Sequence, residues 1–322
     1  MNFPATVDSL SGLSLGGQAL HLAIGVFDGV HRGHRAVVKA ALSSARLDGG
    51  IAAVLTFWPH PSRLLTPDAP VPQILTPEAK SAIFHEMGVD LVLQIPFTQE
   101  FSMIEAAEFL PYLMKFLPGL ASVSIGENFC FGRGRTGDIA RLIEEAGKYD
   151  IEVFSSGRIK ENGEEISSTR IRENLQSGHI GRANRLLGYP YFSYGPPVSG
   201  RGAGRDLGFP TINFPWAPEL RPAYGVYAVE LLPDEVGGHH PGVANYGVRP
   251  TVVADGDPVL EVHLFSFDGI KPGATCRVAW HRFLRPERKF THVEDLIRQI
   301  ALDKEEARGM LQVVEVSDRR AV

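Results

Sequence analysis

The chain has 322 residues, 44% hydrophobic and 21% charged, with 34 Gly, 23 Pro and a formal net charge of −5. That size and balance suit a folded protein of about two domains, and the acidic excess gives a nucleic-acid partner no support while leaving room for local phosphate sites. The two cysteines, Cys130 and Cys276, lie in different halves, so neither a disulfide framework nor a four-ligand zinc site is expected.

The N-terminus lacks a basic start followed by an apolar run, so no secretory signal is expected. No apolar run approaches the roughly 20 residues of a membrane span, and the cytoplasm is the expected location. In the first half, Leu20 to Phe27, Ile51 to Phe57, Leu91 to Ile95, Ala121 to Ile125 and Ile151 to Phe154 read as strands buried on both faces. Helical patterns fall between them. Thr76 is the expected N-cap of one, with Pro77 at its first position and Gly88 beyond its last turn. In another, Ile139, Leu142, Ile143 and Ala146 share a face. Parallel neighbours need crossover connections, so strands alternating with helices predict a doubly wound parallel α/β sheet.

A short helical connector from Thr169 leads to an expected boundary near Leu187, dividing the chain into residues 1–187 and 188–322. Beyond it Gly and Pro are dense. Ile212 to Phe214, Val226 to Leu232, Val259 to Phe267 and Thr275 to Leu284 read as strands. In the third, Val262 and Leu264 alternate with Glu261 and His263, so one face is buried and the other polar. Short strands with turn signals predict a small antiparallel β-barrel. A helix closes the chain, with Thr291 and Glu294 as capping box and Val293, Leu296, Ile297 and Ile300 as its apolar stripe.

The first strand runs straight into Asp28-Gly29-Val30-His31-Arg32-Gly33-His34, where a helix is expected to begin. A strand end, a glycine turn and a helix N-terminus form an anion site, because unpaired N–H groups point outward. His31 and His34, three residues apart, lie on one side of the first turn, and Gly33 lets a phosphate approach the backbone. The pair suits charge growing on a nucleoside triphosphate as its α-phosphorus is attacked; a plain helix cap or a metal site is the bland alternative. Ile166-Ser167-Ser168-Thr169-Arg170-Ile171-Arg172 opens a further helix, where hydroxyls donate to phosphate oxygens and Arg172 can clamp terminal phosphates. Gly132 to Gly137 matches a dinucleotide-binding string, but its distance from the preceding strand and the Ser155 after Phe154 argue against that use.

In the second half, Gly200 to Gly208 is a Gly- and Arg-rich loop whose amides, including those of Gly202 and Gly204, can face phosphate. It lacks the Lys-Ser/Thr of a Walker loop. Thr211 and Asn213 alternate onto one face of an emerging strand, and their oxygens are hard ligands of the kind Mg²⁺ accepts beside ATP phosphates. Glu261, on a polar strand face, can take a proton from an alcohol; alone, such residues are commonly just solvated.

The segment Gly25 to His34 resembles the signature of the HxGH nucleotidyltransferase superfamily, and Ile166 to Arg172 its ISSTxxR motif. With Thr56 to Pro61, Gly126 to Gly132, Gly208 to Asn213, Gly225 to Ala228, Gly247 to Thr251 and Glu261 to Leu264, the chain resembles the bifunctional prokaryotic riboflavin kinase/FMN adenylyltransferases, also called FAD synthetases. The resemblance implies ATP as co-substrate, Mg²⁺, and riboflavin and FMN as the small-molecule partners. It implies His31, His34, Arg172 and Glu261 as catalytic, and Gly25, Phe27, Asp28, Gly33, Ser167, Ser168, Thr169, Gly202 and Gly204 as nucleotide-binding. It further implies His60, Asn128 and Phe129 near the flavin, and Thr211 and Asn213 at the metal. Departures stand in the barrel: Ile212 where the family has Ala, Phe265 to Asp268, and Ile270-Lys271-Pro272-Gly273 after the glutamate strand. They raise two alternatives, an adenylyltransferase with an impaired kinase barrel and a flavin-binding protein without turnover.

Overall fold

The computed structural model describes residues 3–198, 208–216, 218–234, 238–248, 258–266 and 274–318, with side chains to Leu311. Residues 1–168 and 169–322 pack as two separate units.

The first unit is built on a fully parallel sheet of six strands: β1 (Ala5–Val7), β2 (Leu20–Ile24), β3 (Ile51–Phe57), β4 (Leu91–Ile95), β5 (Leu120–Gly126) and β6 (Glu152–Ser156), in the order β1-β4-β3-β2-β5-β6. Every residue of β2 and β3 is buried, as expected of central parallel strands. β6 differs from expectation: it is an edge strand with Phe154 37% exposed. β1, only three residues long, carries too little pattern to be read from sequence. Helix α1 (Arg32–Asp48) covers the sheet with Val37, Val38, Ala41 and Leu42 and ends on Gly49 at φ 70°. The short α2 (Ser62–Leu65), α3 (Pro77–Glu86), α4 (Gln99–Ser102), α5 (Phe109–Phe116) and α6 (Ile139–Ala146) complete the layers. The Thr76 cap forms as expected, its Oγ1 accepting from the Ala79 N–H. In α6 the buried residues are Leu142, Glu145 and Ala146, while Ile143 is 54% exposed. Arg141 and Lys148 both pair with Glu145, which lets an acid take the inner position. A two-stranded hairpin, β7 (Lys160–Glu161) and β8 (Glu164–Glu165), leads to the end of this unit.

In the second unit, helix α7 (Ser168–Gln176), all but its first residue, and helix α8 (Ile180–Leu187) precede an antiparallel sheet of β9 (Phe192–Gly195), β10 (Ile212–Phe214), β11 (Gly225–Pro233), β12 (His240–Gly247), β13 (Val259–Leu264) and β14 (Cys276–Arg285). The strand order is β10-β13-β12-β11-β14-β9. Register shifts where β11 meets β14 bend the sheet, and Val198, just past β9, bridges to Asn213 on β10 at the opposite edge. The sheet thus curls into a small barrel. Its inside is aromatic: Trp280 packs on Tyr227, Trp216, Tyr246 and Tyr191, with ring centroids 4.4–5.9 Å away.

Strand alternation puts Val226, Ala228 and Val243 on the outer face, where they meet Ala307 and Leu311 of α9 (Val293–Asp318). The expected stripe of this helix is out of phase. Val293 and Ile297 are 53% and 37% exposed, and Asp303, Ala307 and Leu311 are buried instead. The helix begins at Val293, directly after His292, so Thr291 does not stand at the cap position. A buried ion pair fixes the phase, Arg285 Nη2 to Asp303 Oδ2 at 2.7 Å with Arg285 Nε at 2.9 Å from Oδ1.

Candidate active sites

Strand β2 stands between β3 and β5, and the chain winds outward from it in both directions. A ligand crevice forms beyond the carboxyl ends of strands at such a reversal, and the turn leaving β2 lies there. The strand stops at Ile24, earlier than the expected Phe27, because the backbone turns left-handed: Phe27 has φ 49°, Gly29 φ 80° and Val30 φ 35°. Two of these are not glycine, which marks a conformation held against its local preference. His31 follows as the N-cap of α1. Its Nδ1 accepts the His34 N–H at 3.3 Å, so the neutral ring carries its proton on Nε2, a donor for phosphate oxygen. One expected open amide is therefore filled by the histidine itself; the pair caps the helix as well as lining the turn.

The two imidazoles stack, with centroids 3.5 Å apart. Gly33 permits this: a Cβ there would stand 3.2 Å from the His31 ring. Burial pushes His31 down to about 4. His34 keeps some surface, but its Nδ1 is enclosed without a partner among the described residues. Burial first, then the His31 ring and the Lys80 charge, hold it well below its ordinary value. At neutral pH both rings are uncharged hydrogen-bonding groups. The Asp28 carboxylate accepts the Ile74 N–H at 2.8 Å, bracing the turn. Ser168, the last residue of the first unit, donates its Oγ proton to the Asp28 carbonyl at 2.8 Å, so that proton is committed to the turn's own backbone. Ser167 is half-buried and Thr169 exposed, and Arg172 lies half-buried on α7.

His60 Nδ1 accepts from the Ser62 N–H at 3.1 Å and sits 2.8 Å from Ser62 Oγ. Asn128 Oδ1 accepts from Arg158 at 2.6 Å, and Phe129 stacks near Phe131 at 5.7 Å. Phe57, Phe97, Phe101, Phe109 and Tyr112 continue this aromatic group, which sequence patterning merges with the ordinary core. Gly132 to Gly137 forms a loop with a single 3₁₀ turn, not the start of a crossover helix.

In the second unit a cavity of about 320 Å³ opens between the outer sheet face and α9. Thr211, Glu261 and His263 line it. Register places Asn213 opposite Glu261 and Glu261 opposite Asn245, so three polar side chains cross one face. Asn213 is 4% exposed and His263 7%, while Glu261 and Asn245 are half-buried. His263 Nδ1 donates to the Pro210 carbonyl at 3.0 Å, fixing the segment just before Thr211. Asn245 Nδ2 donates to Glu287 Oε1 at 3.2 Å. Asn245, Arg285 and Glu287 belong to the pocket and carry no motif that would single them out beforehand. Gly202, Gly204 and the departures at Phe267, Asp268 and 270–273 lie outside the described residues.

These features define a class: a transferase with a nucleotide-type turn in one unit and a half-buried acid beside amide side chains in the other. The FAD synthetase family matches residues 17–170 and the riboflavin kinase family residues 187–311. Relatives named bifunctional riboflavin kinase/FMN adenylyltransferase are 36% identical over 89% of this chain and 91% of theirs in Escherichia coli K12. In Listeria monocytogenes the identity is 35% over 91% and 93%, and in Bacillus subtilis 35% over 89% and 90%. The chain belongs to the bifunctional riboflavin kinase/FMN adenylyltransferase family. A Streptococcus pneumoniae structure named a macrolide-efflux protein is also similar, with TM-score 0.78 and 28% identity over 94% of this chain and 98% of its own. That name stays with that protein; among the described residues no helix is long and apolar enough to cross a membrane.

Proposed function

We propose that the chain phosphorylates riboflavin to FMN in residues 188–322 and adenylylates FMN to FAD in residues 1–187, both from ATP. The observation that carries the reading is the stacked, uncharged His31 and His34 pair at the switch point of the sheet, beside the family's match to both halves.

In the kinase step a ribityl hydroxyl attacks the γ-phosphorus of ATP, its proton passes to Glu261, and ADP leaves. A neutral alcohol must lose a proton, which is why a carboxylate belongs there. Thr211 and Asn213 suit Mg²⁺: their oxygens are hard donors, and Asn213 is buried opposite Glu261. The ion would neutralise phosphate charge there.

In the adenylyl step an FMN phosphate oxygen bonds to the α-phosphorus of ATP and pyrophosphate leaves. The nucleophile is already an anion, so no base is needed and the barrier lies in charge repulsion and charge on the departing group. Donors held in place meet that demand, each contributing roughly 3–4 kcal/mol. His31 Nε2–H is one, and His34 and Arg172 fit the same role. His60, Asn128 and Phe129 are assigned to the flavin; the main-chain groups of Gly25, Phe27, Asp28, Gly33, Ser167, Ser168 and Thr169 to the nucleotide. The cytoplasm, where ATP and riboflavin meet, is the proposed location. Incubating the purified chain with riboflavin, ATP and Mg²⁺ is expected to yield FMN, then FAD, by chromatography. Absence of both products would overturn the reading, and FMN without FAD would confine it to the second unit.

A further inference from the structure

Helix α3 carries a lysine, Lys80, that is 0% exposed. Lysine is almost never fully buried unless its charge is met. Here oxygens meet it: Lys80 Nζ donates to Thr56 Oγ1 at 3.2 Å, to the Phe57 carbonyl at 3.2 Å and to the Val26 carbonyl at 3.5 Å. Those three acceptors match the three protons of an ammonium. Thr56 Oγ1 itself donates to the Val26 carbonyl at 2.8 Å. The carboxyl end of β3 and the residue that enters the left-handed turn after β2 are thus joined through one cation.

The same helix holds the turn a second way. Phe84 lies edge-on to Phe27 with centroids 5.8 Å apart, and Phe27 lies edge-on to His34 at 5.4 Å. A contiguous chain of contacts runs from α3 to the imidazoles, by charge on one side and by rings on the other. A buried cation is a costly way to pack a helix, because an apolar side chain of similar volume gives equal packing without desolvation. Its presence beside the histidine turn calls for a role that packing does not supply.

We propose that Lys80 is the positioning residue of the histidine turn: its buried ammonium ties the strand ends at Val26 and Phe57 together and sets the electrostatic surroundings of His34. The proposal rests on the adenylyl-transfer reading for its effect on rate. The groups that face one another are His31 and Lys80 towards His34, and Asp28 and His34 towards Lys80. Lys80 is itself pushed down to about 8 by burial, with Asp28 acting in the opposite direction. Burial is the larger force against a cation at His34, followed by the His31 ring, and below that pH the Lys80 charge acts in the same direction. His34 therefore meets the triphosphate as an uncharged ring in a fixed orientation, while Lys80 touches no substrate.

The test follows the His34 Cε1–H resonance of the full chain against pH, in wild type, Lys80→Met and Lys80→Arg, beside kcat and KM for FAD formation from FMN. In wild type the resonance is expected to shift near pH 8, as Lys80 loses its proton, and to stay flat between about pH 6 and 7.5. In Lys80→Met the pH 8 step disappears, burial and the His31 ring still hold His34 below its ordinary value but less far than in wild type, and kcat falls about tenfold with KM changed far less. Lys80→Arg keeps the charge and recovers most of kcat. A wild-type resonance indifferent to pH 8 overturns the proposal without any variant, so a misfolded Lys80→Met does not protect it. A folded Lys80→Met with unaltered titration also overturns it. The resonance is independent of turnover, so failure of the adenylyl-transfer reading would show separately, as FAD formation surviving in His31→Ala/His34→Ala.

Discussion

In the first unit the histidine turn comes from ten consecutive residues, Gly25 to His34. In the second, Asn213, Asn245 and Glu261 come from β10, β12 and β13, and Thr211 stands just before β10. The first site is shaped by its own backbone, a left-handed turn closed by a histidine that caps the helix it begins. The second exists only when strand register places Asn213, Glu261 and Asn245 in one row and α9 closes the pocket. A local site tolerates drift of distant elements; a site made by register fails as a whole when any strand slips, because a shift of one residue turns every side chain to the other face.

Substitutions at the chemical groups give the largest expected effects and test whether the sites are separate. Glu261→Ala is expected to lower kcat for FMN formation by about 10²–10⁴ while leaving FAD formation from supplied FMN intact. His34→Ala is expected to lower FAD formation by about 10²–10³ and to spare FMN formation. Each is checked by assaying the two half-reactions separately. Parallel loss of both activities in either folded variant would break the comparison.

The first site also ties its protonation state to stability. His31 sits at about 4 in the folded chain against an ordinary 6.5, so the unfolded chain binds its proton first as pH falls. Folding stability from this group is complete above pH 6.5 and is lost progressively towards pH 4. His31→Asn keeps a capping acceptor but cannot titrate. Between pH 7 and pH 5 wild type is expected to lose about 2 kcal/mol more than His31→Asn, read from denaturant unfolding of the first unit. Equal losses would mean that the ring is hydrated in solution.

Much of this was legible beforehand where local chemistry decides. The central strands are continuous apolar runs, and the His31–His34 spacing alone puts both rings on one side of a helix start. The two misplaced helix faces share a cause, in charges buried by pairing. Glu145 displaces Ile143 from the inner face of α6, and Asp303 shifts the phase of α9 by drawing Arg285 to it. A buried acid looks like a surface acid in sequence, since its partner is named only by the fold. β12 does not read as a strand because His240–Gly247 contains His, Pro and Gly, poor strand formers whose pairing on both sides overrides propensity. Asn245 was lost with it, and so a third of the polar row.

The smallest expected effect joins a legible feature to an illegible one. Thr76 caps α3 by accepting the Ala79 N–H at 3.3 Å, and Lys80 is the next residue along. Thr76→Ala removes one satisfied amide at a helix end, which costs about 1 kcal/mol. On stability grounds alone nothing more should follow. If α3 positions the histidine turn through Lys80 and Phe84, fraying its first turn loosens Lys80 before it loosens the core below. FAD formation should then fall about two- to threefold at a temperature where the unit is still fully folded, whereas Thr76→Ser, which keeps the acceptor, should not differ from wild type. FMN formation is the internal control. A Thr76→Ala chain that loses stability but no FAD formation would show that the turn holds its shape without α3, and would make the first site more self-contained than its contacts imply.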